Sequence, residues 1–350
     1  MTRRLDGGWL VAAVAAGLPW VTWIAVTTDN PHFAVIQTPH WLWTLMGLGV
    51  LACWIAPVDA WLGWLLAYAV IRSVPAPWPG TLETVVTLTL GSVALLALWS
   101  VAVAQHARII AWVSWAATFE TLYVLQQWAG WDLLWRPWLT GETQIVGTLG
   151  NANYVGAYLA IVAPLVQPWA IPGLLLGIGL SQSFTGIIAA GIGLCLRYGV
   201  KGKWGWGLVG LCLTVALVLH GMISLEVRGR VWWAALQDQT VWTLLVGHGP
   251  GGWISRFPLI QPWQGVGEFF LQAHNEYLQW DYEMGAIGLF LLAGWLWSHR
   301  AWFTGRYAGA VVSTAIVSAT MFPFHLAVCG AAGVLVMGLA WSAEQEELDA

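Results

Sequence analysis

Apolar residues run through this chain in long blocks separated by short polar breaks, and the blocks predict helices. Twelve stretches qualify: 8–26, 41–57, 60–74, 84–104, 109–128, 153–169, 171–182, 185–198, 205–223, 284–298, 307–321 and 323–341. Many approach the roughly 20 residues that a helix needs to cross a hydrocarbon layer of about 30 Å. The seventh and eighth are short enough to form one broken pair. The period-2 alternation of a membrane barrel is missing from runs such as TVVTLTLGSVALLALWSVAVA at 84–104, and backbone groups in lipid must be paired internally, so helices follow. The pattern predicts an all-α polytopic membrane protein with about 12 transmembrane helices, forming one integral domain over 1–350. It shows no internal repeat and no soluble domain.

Composition strengthens this expectation. Hydrophobic residues make up 59% of the chain and charged residues only 9%, 29 residues are tryptophan, and mean hydropathy is +0.69, all far from the soluble globular norm. Cys53, Cys195, Cys212 and Cys329 lie inside apolar runs without CxxC spacing, which reads as packing and predicts neither a disulfide framework nor a zinc site. The first run follows Arg3 and Arg4 and extends about 18 residues, closer to an uncleaved spanning helix than to a signal peptide.

Charge sets the expected direction. With the N-terminus in the cytoplasm, the inside loops hold Arg3, Arg4, Arg108, Arg197, Lys201, Lys203, Arg300 and Arg306, together with the acidic tail AEQEELDA, as the positive-inside bias requires. Both termini then lie inside. The opposite side carries Arg72, Arg136, Arg228, Arg230 and Arg256, all arginine and no lysine. Guanidinium binds phosphate oxygens bidentately, so this asymmetry suggests anion recognition. Snorkelling at the interface explains any single one of them equally well.

Two outer loops are long, 129–150 and 224–283. Loops of such length are often functional. The larger contains EVRGRVWWAALQDQTVWTLL, whose aromatic spacing suits a helix lying in the interface, and then GHGPGGW at 247–253, where four glycines and a proline imply an irregular path. It ends in LQAHNEYLQWDYE at 271–283. A helix from about residue 271 would place His274, Tyr277, Leu278 and Asp281 on one face. His274 would sit at the membrane boundary with a side chain suited to accept a proton, or would only tether the loop. In GTLGNANY at 147–154, Asn151 and Asn153 either bind sugar or cap the next helix, the commoner use. Trp232, Trp233, Trp253 and Trp263 are the tryptophans placed to stack on sugars. His325 in MFPFHLAV reads as structural.

These stretches carry a resemblance. HNEYLQ is similar to the HN-x-Y-L-x signature near the end of the large periplasmic loop in the O-antigen ligase and Wzy-type polymerase superfamily. GTLGNANYVGAYLAIVAPL (147–165) resembles that family's GT-x-GN-x-N segment, with Ala152 where proline is common. RGRVWWAAL (228–236) resembles its arginine and tryptophan segment, and LLVGHGPGGW (244–253) its glycine turn, with leucine in place of the usual proline. The four occur in the family's order within 147–298.

The resemblance implies a glycosyltransferase C-type fold that works on the periplasmic side of a bacterial inner membrane without metal or cofactor. It implies a donor glycan on undecaprenyl diphosphate and an acceptor hydroxyl, most simply that of lipid A core, as in O-antigen ligation. A polymerase or an O-oligosaccharyltransferase would share the donor half. His274 and Arg228 are then the catalytic pair, with Arg228 or Arg230 on the pyrophosphate, and Asn275, Tyr277, Asn151 and Asn153 supporting or binding sugar. Arg228, four residues before Trp232, best matches the family's arginine; RGR leaves the register ambiguous by two residues, so Arg230 is the substitute. Arg72, which ends the third run on the outer side and matches no family motif, is by position a second phosphate ligand or a snorkelling side chain. No nucleic acid is expected as partner. A lipid-linked oligosaccharide flippase is the alternative of another class, hinted at by Glu120 inside an apolar run. A catalytically dead scaffold is the third.

Overall fold

The computed structural model describes residues 60–73, 103–133, 145–200, 223–260 and 270–349, with single positions between 91 and 101 and between 202 and 210. The runs at 8–26 and 41–57, most of 84–104 and 205–223, and Arg136 and Trp263 lie outside the described residues. Within them, all regular structure is helical and no strand occurs, in agreement with the expected all-α class. The α-helices are α1 (Ala60–Ser73), α2 (His106–Trp128), α3 (Ala152–Val162), α4 (Ile171–Leu180), α5 (Phe184–Arg197), α6 (Ile223–Asp238), α7 (Val241–Val246), α8 (Gly252–Ile260), α9 (Glu276–Ser298), α10 (Ala308–Thr320) and α11 (Ala327–Asp349). Among the described residues, one helical stretch, Ala327–Leu348, is long and apolar enough to cross a membrane, and four shorter apolar helices accompany it: Ala152–Val162, Pro168–Leu180, Phe184–Arg197 and Ala308–Thr320.

At the centre stands α3, every residue of which from Tyr154 onward is buried, as are the following residues to Val166. A helix apolar on all sides is stable only when enclosed, and α2, α4, α5, α10 and α11 all pack against it. Small residues let these helices come close: a Cβ on Gly309 would stand 2.3 Å from Gly193 O. The Ser313 hydroxyl of α10 lies 2.7 Å from Ala160 O and 2.9 Å from Ala189 O, so it links α10 to both α3 and α5. The expected broken pair is present as α4 and α5, joined by a turn at 181–183 in which Ser183 caps α5.

The start of α3 is held by two buried polar residues of α2. Gln127 Oε1 accepts from Val146 N at 3.0 Å and Gly147 N at 2.8 Å, while the Glu120 carboxylate accepts from Thr148 N at 3.0 Å and Thr148 Oγ1 at 2.6 Å. Glu120 thus clamps the GTLG turn.

Sequence periodicity places the start of α9 too early. The helix begins at Glu276, because His274 takes φ +53° and Asn275 is the N-cap, its side chain accepting from Leu278 N at 3.1 Å. The i, i+3, i+4, i+7 pattern from His274 fits a helix, but it carries no information about backbone sign. Further along, α9 kinks at Gly285, whose φ of 64° and ψ of −172° only glycine adopts without strain.

Candidate functional site

Four distant segments converge at one end of the helix bundle, around the turn that joins α10 to α11. Arg228 on α6 donates from Nη1 to Thr320 O at 2.8 Å. The His274 ring stands edge-on to Phe322, with centroids 4.6 Å apart, and to Phe270 at 5.6 Å. Tyr154, in the first turn of α3, packs on Phe322 at 5.7 Å. The Thr320 hydroxyl meets the Thr185 hydroxyl of α5 at 2.6 Å. The turn 320–322 is therefore the common platform for the arginine of RGRVWW, the histidine of HNEYLQ and the helix that follows GTLGN.

Burial, with the Arg228 charge acting in the same direction, draws the His274 imidazole down to about 4. His274 is neutral at pH 7, with Nδ1 buried and without a hydrogen-bond partner. Arg228, itself lowered by burial, remains a cation because guanidinium deprotonates far above neutrality.

The backbone around His274 is fixed on both sides. Ala273 N donates to Gln279 Oε1 at 3.0 Å, and Ala273 O accepts from Trp232 Nε1 at 2.8 Å. Asn275 closes the other side as the cap of α9. A non-glycine residue at positive φ is uncommon and persists where surrounding contacts over-determine it. Trp232 is one of these contacts.

A second set of residues organises the glycine turn. The buried Glu283 carboxylate accepts from Gly251 N at 2.9 Å and Trp253 N at 3.2 Å, while Glu283 O accepts from Gly249 N at 2.8 Å and Tyr282 O from His248 N at 2.9 Å. Burial pushes the Glu283 carboxyl up, opposed by His325 and by these backbone donors. A Cβ at Gly247, where φ is +73°, would lie 2.1 Å from Glu283 O, so only glycine fits. Arg72 donates from Nε to Val246 O and from Nη2 to Gly247 O, both at 2.8 Å, with Tyr68 OH 3.1 Å from Met284 O.

Beside this turn, Asp238 takes a bidentate pair from Arg256, at 2.8 Å and 2.9 Å, and a bond from Tyr282 OH at 2.6 Å. Burial raises the Asp238 carboxyl, but the Arg256 and Tyr282 hydrogen bonds outweigh it and leave it below its usual value. The His248 ring packs tilted against Tyr282, centroids 4.4 Å apart, and burial first, then Arg256, lower it to about 4 against the pull of Asp238.

The residues singled out from sequence thus separate into groups. His274 and Arg228 both reach the turn 320–322. Arg72 is committed to carbonyls of the glycine turn, and Arg256 to Asp238. Arg230 is exposed. Asn151 caps α3 by accepting from Asn153 N at 2.8 Å, and Asn275 caps α9. Tyr277 OH donates to Ala315 O at 3.1 Å. Trp253 is wholly buried and stacks on Phe257 at 4.2 Å, so it offers no sugar platform, whereas Trp233 is 63% exposed. Sequence reasoning missed Gln279, Glu276, Thr320 and Phe322; a buried glutamine one turn before a buried glutamate was the available signal. Among the described residues no three His, Cys, Asp or Glu side chains gather as a metal site. No protein-family model matches the chain, and no curated protein matches it.

Proposed function

We propose that this protein is a polytopic membrane glycosyltransferase of the C type, with about 12 spanning helices. It transfers a glycan from undecaprenyl diphosphate to an acceptor hydroxyl, most simply that of lipid A core, at a periplasm-facing site. The observation that carries the reading is the convergence of Arg228 and His274 on the turn 320–322, 46 residues apart in sequence. The order of the four resembling motifs within 147–298 supports it, as does the exposed apolar surface of α6 and α7, where Trp233, Val241, Trp242, Leu244 and Leu245 face outward and suit an interfacial position.

In this reading the acceptor oxygen bonds to the anomeric carbon as that carbon's bond to the phosphate oxygen breaks, and the electron pair leaves on the diphosphate. Arg228 stabilises that charge from a partly desolvated position, where a fixed cation is most effective. Neutral His274 offers a free lone pair for the hydroxyl proton. A diphosphate against Arg228 offsets the charge that depresses His274 and so raises its affinity for that proton as the reaction proceeds.

Arg72 and Arg256 are better suited to holding the glycine turn than to contacting donor, and Arg230 remains the second candidate for pyrophosphate. Purified protein, assayed in detergent with EDTA for transfer from undecaprenyl-diphosphate glycan to lipid A core, tests the proposal. Activity lost in Arg228→Ala and His274→Ala supports it; no transfer by folded wild type counts against ligation. A second carrier-linked unit offered as acceptor then tests polymerisation, and movement of the carrier across vesicles tests a flippase.

A further inference from the structure

His325 lies outside the reactive pair, yet its contacts lead to His274. Its Nδ1 is 3.0 Å from Glu276 Oε2 and its Nε2 is 2.9 Å from Gln279 Nε2. The orientation of Gln279 is fixed by its other partners. Oε1 receives Ala273 N at 3.0 Å, and the amide nitrogen faces Gln272 Oε1 at 2.6 Å and Glu283 Oε1 at 3.4 Å. Turning the amide over would set oxygen against two acceptors and NH₂ against an N–H.

An amide nitrogen only donates, so His325 Nε2 is the acceptor and Nδ1–H donates to Glu276. This arrangement requires neutral His325. A proton on Nε2 would face the Gln279 NH₂ group, donor against donor, and drive the amide away. The same amide holds Ala273, the residue before His274, whose positive φ depends on such restraints.

We propose that Gln279 is a positioning residue for His274, and that protonation of His325 releases it and stops transfer on the acid side. The proposal rests on the reading of His274 as the reactive histidine. The charged and titratable groups around the turn are Glu276 and Glu283 on α9, Arg228 on α6, His274 itself, Tyr154 on α3 and Cys329 on α11; α10 contributes none. His274 stays neutral until much lower pH because burial and Arg228 hold it down.

Histidine ring carbon NMR of the purified full chain, followed from neutral to acid pH beside transfer rates, tests this. In wild type the His274 signal should move at the midpoint of the His325 step, and in Gln279→Met it should show only its own titration. Transfer by Gln279→Met should fall about tenfold in kcat with little change in KM, as expected for misplacement near the chemistry. Glu276→Gln, which retains an acceptor for Phe324 N and serves if Gln279→Met does not fold, sets its NH₂ against His325 Nδ1 and forces the proton onto Nε2, so it should lower kcat already at neutral pH. A His274 signal indifferent to the His325 step in wild type overturns the coupling, as does neutral-pH transfer unchanged in folded Glu276→Gln. If folded wild type transfers nothing, the ring signals still decide the coupling, and only the transfer reading fails.

Discussion

Replacing Glu283 with glutamine should loosen the glycine turn without unfolding the helices. In wild type the two carboxylate oxygens each accept one backbone N–H, from Gly251 at 2.9 Å and Trp253 at 3.2 Å, and Gln279 approaches at 3.4 Å. Glutamine offers one oxygen and sets its NH₂ against whichever N–H remains. Loss of a charge-assisted bond costs about 1.5–3 kcal/mol, and a buried donor without an acceptor about 1–3 kcal/mol. The total of about 2.5–6 kcal/mol corresponds to roughly a sixtyfold to twenty-thousandfold greater local opening, since about 1.4 kcal/mol is tenfold. Hydrogen exchange read by mass spectrometry on peptides covering 247–257 measures it. Exchange within about threefold of wild type in a folded Glu283→Gln protein would refute the reasoning, because ~0.7 kcal/mol is less than either term.

The same geometry supports other outcomes. Gly247→Ala must adopt φ +73° and bring Cβ within 2.1 Å of Glu283 O, so it should cost about 3 kcal/mol or more; Gly173→Ala on α4, where a Cβ meets nothing within 4 Å, should leave the thermal midpoint unchanged or higher. His274 and His248, each partly buried, are held neutral, with folded values of about 4 against the ordinary 6.5 of an exposed imidazole. The unfolded chain therefore binds more protons between these values, and stability present above about 6.5 is lost as pH falls toward about 4, up to ~3 kcal/mol for each histidine. A thermal midpoint flat across that window would contradict their burial. Asn151→Ala removes the cap of α3 and should cost about 1 kcal/mol in denaturant unfolding, while transfer by the folded protein should remain within about twofold if Asn151 only caps; loss of donor affinity would assign it to sugar.

Much of the helical order is legible in the chain because a continuous apolar block reports burial directly. α2, α10 and α11 appear close to where the apolar runs place them, and the break between α4 and α5 shows as two short runs. The start of α9 is not legible, since the positive φ of His274 and the cap at Asn275 leave the periodicity of Tyr277, Leu278 and Asp281 unchanged. Burial of Trp253 and the commitment of Arg72 to carbonyls are equally hidden. Both depend on which segments meet in space, and the pairing of residue 228 with 320, or of 274 with 322, leaves no local pattern. Glu120 shows the converse: an acid in an apolar run gives no sign of the turn it holds, 28 residues away.

The convergence of Arg228 and His274 is tested most directly by donor binding and transfer measured together. Purified wild type, Arg228→Ala and His274→Ala, each with EDTA, would be titrated with undecaprenyl-diphosphate glycan and assayed for product on lipid A core. The expected result is transfer by wild type, with weakened donor binding in Arg228→Ala and, in His274→Ala, donor binding retained while transfer is lost. Transfer that survives in folded His274→Ala, or donor binding indifferent to Arg228→Ala, would contradict it.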